Sequence, residues 1–409
     1  MTLIKSWVTS ANQSNSPFPL NNLPYGVFSI DDKERKLGVA IGNQIVDVTK
    51  IANELPVGMD VLTDKRGWNG LMELGSKQWA EFRSALTDLL KEGAQERPDI
   101  LVSQSDAQLH MPFTVSEFTD FYSNKNHASN VGTMFRGPEN ALPLNWVHIP
   151  IGYNGRASSV VVSGTNIQRP WGQLKGQDYD VPCWAPSKRF DIELEIGAIV
   201  GTPSSGPISV DEAFNNIFGY VLLNDWSARD IQAWEYQPLG PFQAKATATT
   251  ISPWIVTAAA LEPFRCETPK RDHALLPHLQ DRGPMLYDID LHVTMNGETI
   301  AATNYNEMYY SAAQQLAHHT TSGCPMRVGD LLGSGTISGP EVRNRGSLLE
   351  LSWGGKEPFT LTNGDTRSFI EDGDTLGLQG TANGDGYKIG FGDCEGTVIP
   401  AMKNPFPQK

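Results

Sequence analysis

The sequence predicts a mainly β protein of the α+β class, and three observations point there. The chain carries 39 glycines and 27 prolines among 409 residues, a density of turn formers that interrupts regular elements often. Its apolar residues gather in short strand-like runs, such as Leu37-Gly38-Val39-Ala40-Ile41 and Gln44-Ile45-Val46-Asp47-Val48. Its length suits one large domain or two unequal ones around a sizeable core.

Charge and cysteine usage bound the partners. A net charge of -14 and a pI near 5.0 argue against nucleic acid or an anionic membrane surface. Positive groups in a pocket must then be placed locally, and Arg136, Arg229 and Lys245 are candidates. Cys183, Cys266, Cys324 and Cys394 lie far apart with no CxxC or Cys/His cluster. A disulfide framework or zinc site is therefore not expected, and a reducing compartment is the default. The start lacks a long apolar h-region, and no run approaches the roughly 18 apolar residues of a spanning helix. A soluble, cytoplasmic protein is expected.

Taken in order, residues 1–112 read as a separate small unit. Gly42-Asn43 between two apolar runs is a two-residue hairpin signal. A helix is expected over Lys77 to Glu92, with Ser76 as N-cap and Gly93 as stop. Its Trp79, Phe82, Leu86 and Leu89 recur at helical spacing and belong to a core. Pro98 and Met111-Pro112 mark the boundary, and nothing in this part reads as catalytic.

Residues 113–409 hold the polar constellations. Phe118-Thr119-Asp120-Phe121-Tyr122 is extended and places Asp120 and Tyr122 on one side. Ser123 to His127 reads as a loop, so His127 is presented from irregular backbone beside them. Met134-Phe135-Arg136-Gly137 and Gly152 to Ser159 are compatible with plain turns. The stretch Phe190 to Gln232 organises the rest. Its first half alternates acids with apolar residues, a strand with one buried face. Ile192, Leu194 and Ile196 face one side, and Asp191, Glu193 and Glu195 the other. Acids are poor strand formers and repel when adjacent on one face, so a plain surface strand is a strained reading. Asp225, Arg229, Gln232 and Tyr236 follow at steps of four, three and four, one stripe of a helix.

Beyond it, Gly240 to Pro253, if extended, points Lys245, Thr247 and Thr249 the same way. Tyr309 to Thr320 reads as a helix, on which adjacent His318 and His319 lie about 100° apart and stay structural. The glycine-rich tail, with Asn363-Gly364-Asp365 and Asn383-Gly384-Asp385, is read as hairpin turns because no calcium-loop pattern is complete.

Suppose Asp120, Glu193, Glu195 and Asp225 converge. At an effective dielectric of about 20, each pair roughly 4 Å apart repels by about 4 kcal/mol. Such a set calls for a cation, and all-oxygen ligands select a hard one, calcium or magnesium. The ion would hold an oxygen-rich substrate and stabilise oxyanion or enolate charge, with His127 as general base for a water. The residues alone reach a metal-dependent enzyme on a small oxygenated, anionic substrate.

Longer motifs carry a resemblance. Asp120-Phe121-Tyr122 with His127-Ala128, Met134 to Gly137, Gly152 to Ser159, Glu193-Leu194-Glu195, Asn224 to Gln232, Trp234 to Phe242, Thr249 to Trp254 and Ser334 to Gly339 together resemble the fumarylacetoacetase family. Asn22 to Phe28 extends the resemblance to the start of the chain. It implies hydrolysis of 4-fumarylacetoacetate to fumarate and acetoacetate, the last step of tyrosine and phenylalanine catabolism, by a homodimer. The implied fold is a small SH3-like β-barrel over 1–112 followed by a large β-roll catalytic domain over 113–409. By the same resemblance, Asp120, Glu193, Glu195 and Asp225 hold Ca2+, and Mg2+ sits near Asp225, Lys245 and Thr249. Substrate contacts fall on Tyr122, Arg136, Tyr153, Gln232, Tyr236 and Thr336. His127 accepts the proton with Glu350 behind it, and Arg229, Gln232 and Lys245 support oxyanion charge. The chain departs from the family pattern at Ala248, where Gly is usual, and at Asn154, where His is usual. An acylpyruvate hydrolase or related decarboxylase of the same superfamily is the near alternative. A non-catalytic calcium-binding module is the distant one, and it leaves His127 and the polar stripe without purpose.

Overall fold

The computed structural model describes residues 2–31, 33–176, 180–404 and 406. Near the start, β1 (Tyr25–Ser29), β2 (Lys36–Ile41), β3 (Gln44–Asp47), β4 (Leu101–Ser103) and β5 (Gln108–His110) form an antiparallel sheet in the order β4-β3-β2-β1-β5. The Gly42-Asn43 turn joins β2 to β3 as expected, with Gly42 at φ 56°. Helix α1 spans Ser76–Leu90. Its cap is Gly75, which makes no side-chain cap bond, so Ser76 is the first helical residue and not the N-cap.

The sheet that positions the site comes next. It is built from β6 (Phe118–Phe121), β7 (Gly152–Asn154), β8 (Val160–Val162), β9 (Leu194–Val200), β10 (Ile217–Asp225), β11 (Thr249–Ile251) and a later strand, Leu331–Gly333. A second sheet contributes β12 (Asp290–Met295) and β13 (Glu298–Asn304) before that later strand, which is therefore β14. It is completed by β15 (Thr375–Asn383) and β16 (Cys394–Ile399). The first sheet has eight strands in the order β7-β6-β14-β9-β10-β11-β8, with Val256–Thr257 added beside β10. The pairs β6/β14 and β8/β11 are parallel. The second has six, running β13-β12-β15-β16 to Ile167–Gln168, with Lys388–Gly390 on β15. The tail turns behave as read: Phe359–Thr360 pairs with Thr366–Arg367 around Gly364, which has φ 92°.

The core explains the central strands. Leu194, Ile196, Tyr220 and Leu222 pack with Leu291, Val293, Leu376 and Leu378 of the second sheet. On the opposite side Ile199, Val221, Leu223, Ile251 and Leu331 pack with Tyr25, Val27, Val39, Trp68 and Phe82. Every residue of β9 and β10 is buried. The expectation of one buried face is thereby corrected, and the acids of this stretch face an interior. The run is also broken: Phe190–Asp191 pairs with Ser227–Ala228 in its own two-stranded sheet, outside β9.

Four helices frame the cavity side. They are α2 (Lys125–Arg136), α3 (Arg229–Glu235), α4 (Ala312–Thr320) and α5 (Leu348–Leu351). Helix α4 starts later than Tyr309 because Ser311 and Gln314 form a capping box there.

Candidate active site

Neighbouring strands bring distant acids together. Asp120 lies on β6, Glu195 on β9 and Asp225 at the end of β10, with Glu193 just ahead of β9. Strand β14 runs between β6 and β9, and its Gly333 is paired with both Asp120 and Gly197. A Cβ on Gly333 would stand 2.7 Å from Asp120 Oδ1 and 2.9 Å from Glu195 Oε2. This glycine therefore leaves the gap across which the carboxylates approach. Oxygens of all four acids lie within 4.8 Å of one another, and all four residues are buried.

The four are not equivalent. Glu193 takes Arg229 Nη1 at 2.8 Å and is also paired with Lys245 Nζ. Burial opposes its charge, but Arg229 and Lys245 prevail and hold its carboxyl below the usual range. Asp225 Oδ2 accepts from Lys245 Nζ at 2.6 Å and from the Tyr153 hydroxyl at 2.9 Å. Asp120 and Glu195 are pushed well up, first by burial and then by the charge of Asp225 and of each other's neighbours. Asp120 Oδ1 and Glu195 Oε1 are buried with no hydrogen-bond partner. Desolvated carboxylates in contact, with orphaned oxygens aimed inward, are the donor set of a hard cation. The residues present fit such an ion. A second ion beside Asp225, Lys245 and Thr249 has a weaker basis: one carboxylate, and a Thr249 hydroxyl 3.3 Å from Asp225 Oδ1.

Across a cavity of about 440 Å³ stands His127. It lies in the first turn of α2 and not in a loop, a correction with a local cause. Asn124 is the N-cap, and its Oδ1 accepts from His127 N at 2.8 Å. His127 Nδ1 meets Glu350 Oε2 at 2.6 Å. Glu350 is fully buried and also accepts from Asn130 at 2.9 Å, Ser338 at 3.0 Å and Ser347 at 2.8 Å. Burial works to raise this carboxyl, yet the His127 charge and these donors hold it below its usual range. A carboxylate so surrounded only accepts, so Nδ1 carries the proton and Nε2 is left to the cavity that His127 lines.

Other expectations divide. Asp225 is the last residue of a strand, so the helical stripe keeps only Arg229, Gln232 and the C-capping Tyr236. Arg229 Nη1 also contacts Gln232 Oε1 at 3.1 Å, while its Nη2 is buried and unpartnered. The extended reading around Lys245 is corrected too: Gln243–Lys245 is a 3-10 turn, and Lys245 and Thr249 nonetheless meet at Asp225. Tyr122 and Thr336 line the cavity, the latter with an orphaned hydroxyl. Arg136 and Tyr236 lie at its exposed rim, where Arg136 donates to the Asn140 and Ala141 carbonyls. His319 bonds Thr119 and remains structural.

Sequence reading missed Gly333, Asn130, Ser338, Ser347 and Asp191. Two left a signal. Ser347 and Glu350 have capping-box spacing, though the glutamate turns to His127, and Asn130 follows His127 at the i+3 helical step. Asp191, predicted beside Glu193 and Glu195, bonds Arg229 instead at 2.7 Å.

Two family descriptions cover most of the chain: Fumarylacetoacetate (FAA) hydrolase C-terminal over residues 117–399, and Fumarylacetoacetase N-terminal over residues 21–112. The chain is 48% identical over 409 residues to the fumarylacetoacetase of Homo sapiens, covering 95% of this chain and 97% of that one. To the fumarylacetoacetase of Dictyostelium discoideum it is 46% identical over 430 residues, covering 98% and 100%. Among solved structures, the fumarylacetoacetate hydrolase of Exiguobacterium antarcticum shares the fold, with a TM-score of 0.55, 15% identity and coverage of 92% and 99%. With nearly half its residues in common with such relatives along almost its whole length, the chain belongs to the fumarylacetoacetase family.

Proposed function

We propose that this enzyme hydrolyses the carbon–carbon bond of 4-fumarylacetoacetate to fumarate and acetoacetate. One observation carries the reading: a buried four-carboxylate set faces a His127–Glu350 pair across a single cavity. His127 Nε2 takes a proton from water, and Glu350 holds the Nδ1 proton and stabilises the imidazolium. The water oxygen attacks the carbonyl on the fumaroyl side. The resulting oxyanion is faced by the buried Arg229 Nη2, with Lys245 and Gln232 beside it. The carbon–carbon bond then breaks, its electrons pass to the acetoacetate fragment as an enolate, and the imidazolium returns the proton. Asp120, Glu193, Glu195 and Asp225 would hold a calcium ion, which when bound supplies positive charge for enolate formation. Magnesium beside Asp225, Lys245 and Thr249 is the lesser part of the proposal. Tyr122, Tyr153, Tyr236 and Thr336 would orient the substrate, and Arg136 would meet a carboxylate end.

The same reading covers the assembly. The antiparallel five-stranded sheet supports an SH3-like barrel over 1–112, and the paired sheets support a β-roll over 113–409. Exposed Leu239 and Phe242 support a homodimer, and four free cysteines support a cytoplasmic setting. No helix among the described residues is long and apolar enough to cross a membrane. The test is loss of diketone absorbance with fumarylacetoacetate and with acylpyruvates, each with and without chelator. Chelator-sensitive turnover of fumarylacetoacetate well above acylpyruvates is expected. A preference for acylpyruvates would favour the related hydrolases instead.

A further inference from the structure

Asp191 has no place in the proposed reaction, yet it is fully buried and accepts four hydrogen bonds. Oδ1 accepts from Ile192 N at 2.8 Å and Leu348 N at 2.8 Å. Oδ2 accepts from Arg229 Nε at 2.7 Å and Leu349 N at 3.0 Å. Leu348 and Leu349 open helix α5, the element that carries Glu350. The same side chain therefore grips the guanidinium that faces the oxyanion and the first turn of the helix that holds the histidine's partner. We propose that Asp191 is a positioning residue that joins the oxyanion-binding and proton-transfer halves of the site into one rigid unit. The proposal rests on the roles given to Arg229, His127 and Glu350 above.

The chemistry of the four donors requires a carboxylate at 191. All four partners are N–H groups, so no oxygen of Asp191 has an acceptor opposite it. An amide at this position turns an NH2 group toward two donors, either Arg229 Nε with Leu349 N or Ile192 N with Leu348 N. In both orientations one half of the link is lost, and the two halves are free to move apart. Arg229 would keep Glu193 and Gln232 through Nη1, so it would be misaimed and not released. Asp191 is no part of the cation set, because Asp120, Glu193, Glu195 and Asp225 converge without it.

The experiment compares Asp191→Asn, Arg229→Lys and the double variant on fumarylacetoacetate, with bound metal measured in each. Wild-type turnover of that substrate is the reference, and its absence would overturn the reaction and not this inference. Asp191→Asn is expected to lose about 10- to 100-fold in kcat, the scale of a small misplacement. Its KM should stay within about threefold and its metal content should match the wild type. Because residues acting as a unit are non-additive, the double variant should fall within about threefold of the worse single variant. Losses that multiply, unchanged kcat, or kcat falling in step with metal content would each overturn the proposal. If Asp191→Asn does not fold, Arg229→Lys still decides: it keeps the cation while withdrawing the Nε donor from Asp191. The downfield proton resonance of the His127–Glu350 hydrogen bond, identified by its disappearance in Glu350→Gln, should then shift. An unmoved resonance would refute the link.

Discussion

His127 owes its role to a cage built around its partner. Three neutral donors and the imidazole converge on Glu350, which fixes the tautomer and aims Nε2 at the cavity. His127→Ala should lose about 10²–10⁴-fold in kcat with calcium binding intact, as expected for removal of a general base. Glu350→Gln should lose less, and the double variant should be little worse than His127→Ala, since the two act as a unit. Steady-state kinetics with calorimetric calcium titration checks this, and a double variant showing the product of both losses would break the pair. Gly333 acts by the absence of a side chain. Gly333→Ala sets a methyl group against the Asp120 and Glu195 carboxylates, so metal content and turnover should fall together while secondary structure persists. Metal analysis and circular dichroism read the outcome; an alanine variant with full metal content would show that the gap is not required.

At the scale of elements, the first turn of α2 couples folding to chemistry. Asn124 caps the helix through His127 N, and its Nδ2 donates to the Glu307 carbonyl at 3.0 Å. Asn124→Ala should therefore cost about 0.5–2 kcal/mol of stability, the range of a lost N-cap, and should lower kcat because the first turn carries the base. A thermal melt and kinetics on the same preparation test it. A loss of stability without loss of kcat would mean that the Glu350 bond alone holds the ring. The strands contribute differently. Registers across β6, β14 and β9, and between Asp225 and Thr249 on β10 and β11, bring residues far apart in the chain to one end of the sheet.

For the whole molecule, burial on both faces of β9 and β10 makes the acid cluster expensive without a cation. Asp120 and Glu195 have raised pKa values in the fold, so they hold protons there that the unfolded chain has released. Their contribution to stability is present below about pH 4 and is lost as pH rises through the folded values. A cation must displace those protons to bind. The rise in melting temperature given by calcium over chelator should therefore grow as pH increases from about 4. Paired melts across pH measure it. A calcium increment that shrinks with rising pH would remove these two acids from the site.

The sequence by itself determined the β-rich class, the hairpin at Gly42-Asn43, the helix through Phe82 and Leu86, and the residue types of the site. These depend on local turn chemistry, on periodicity, and on long motifs whose order survives in the chain. The placement of groups was decided by tertiary structure. His127 was read as a loop residue because one cap, Asn124, is a weak signal against a polar run. Asp225 was read onto a helix because helical spacing continues across a strand end. Asp191, Glu193 and Glu195 shared a face on paper, and the break after Asp191 sends that acid to Arg229 and α5 instead. Alternation assumes an unbroken strand, and only pairing with Ser227–Ala228 shows where this one stops. Gly333 and the Glu350 cage were invisible for the same physical reason: a contact between residues hundreds of positions apart is fixed by sheet register and packing, and neither is written in local sequence.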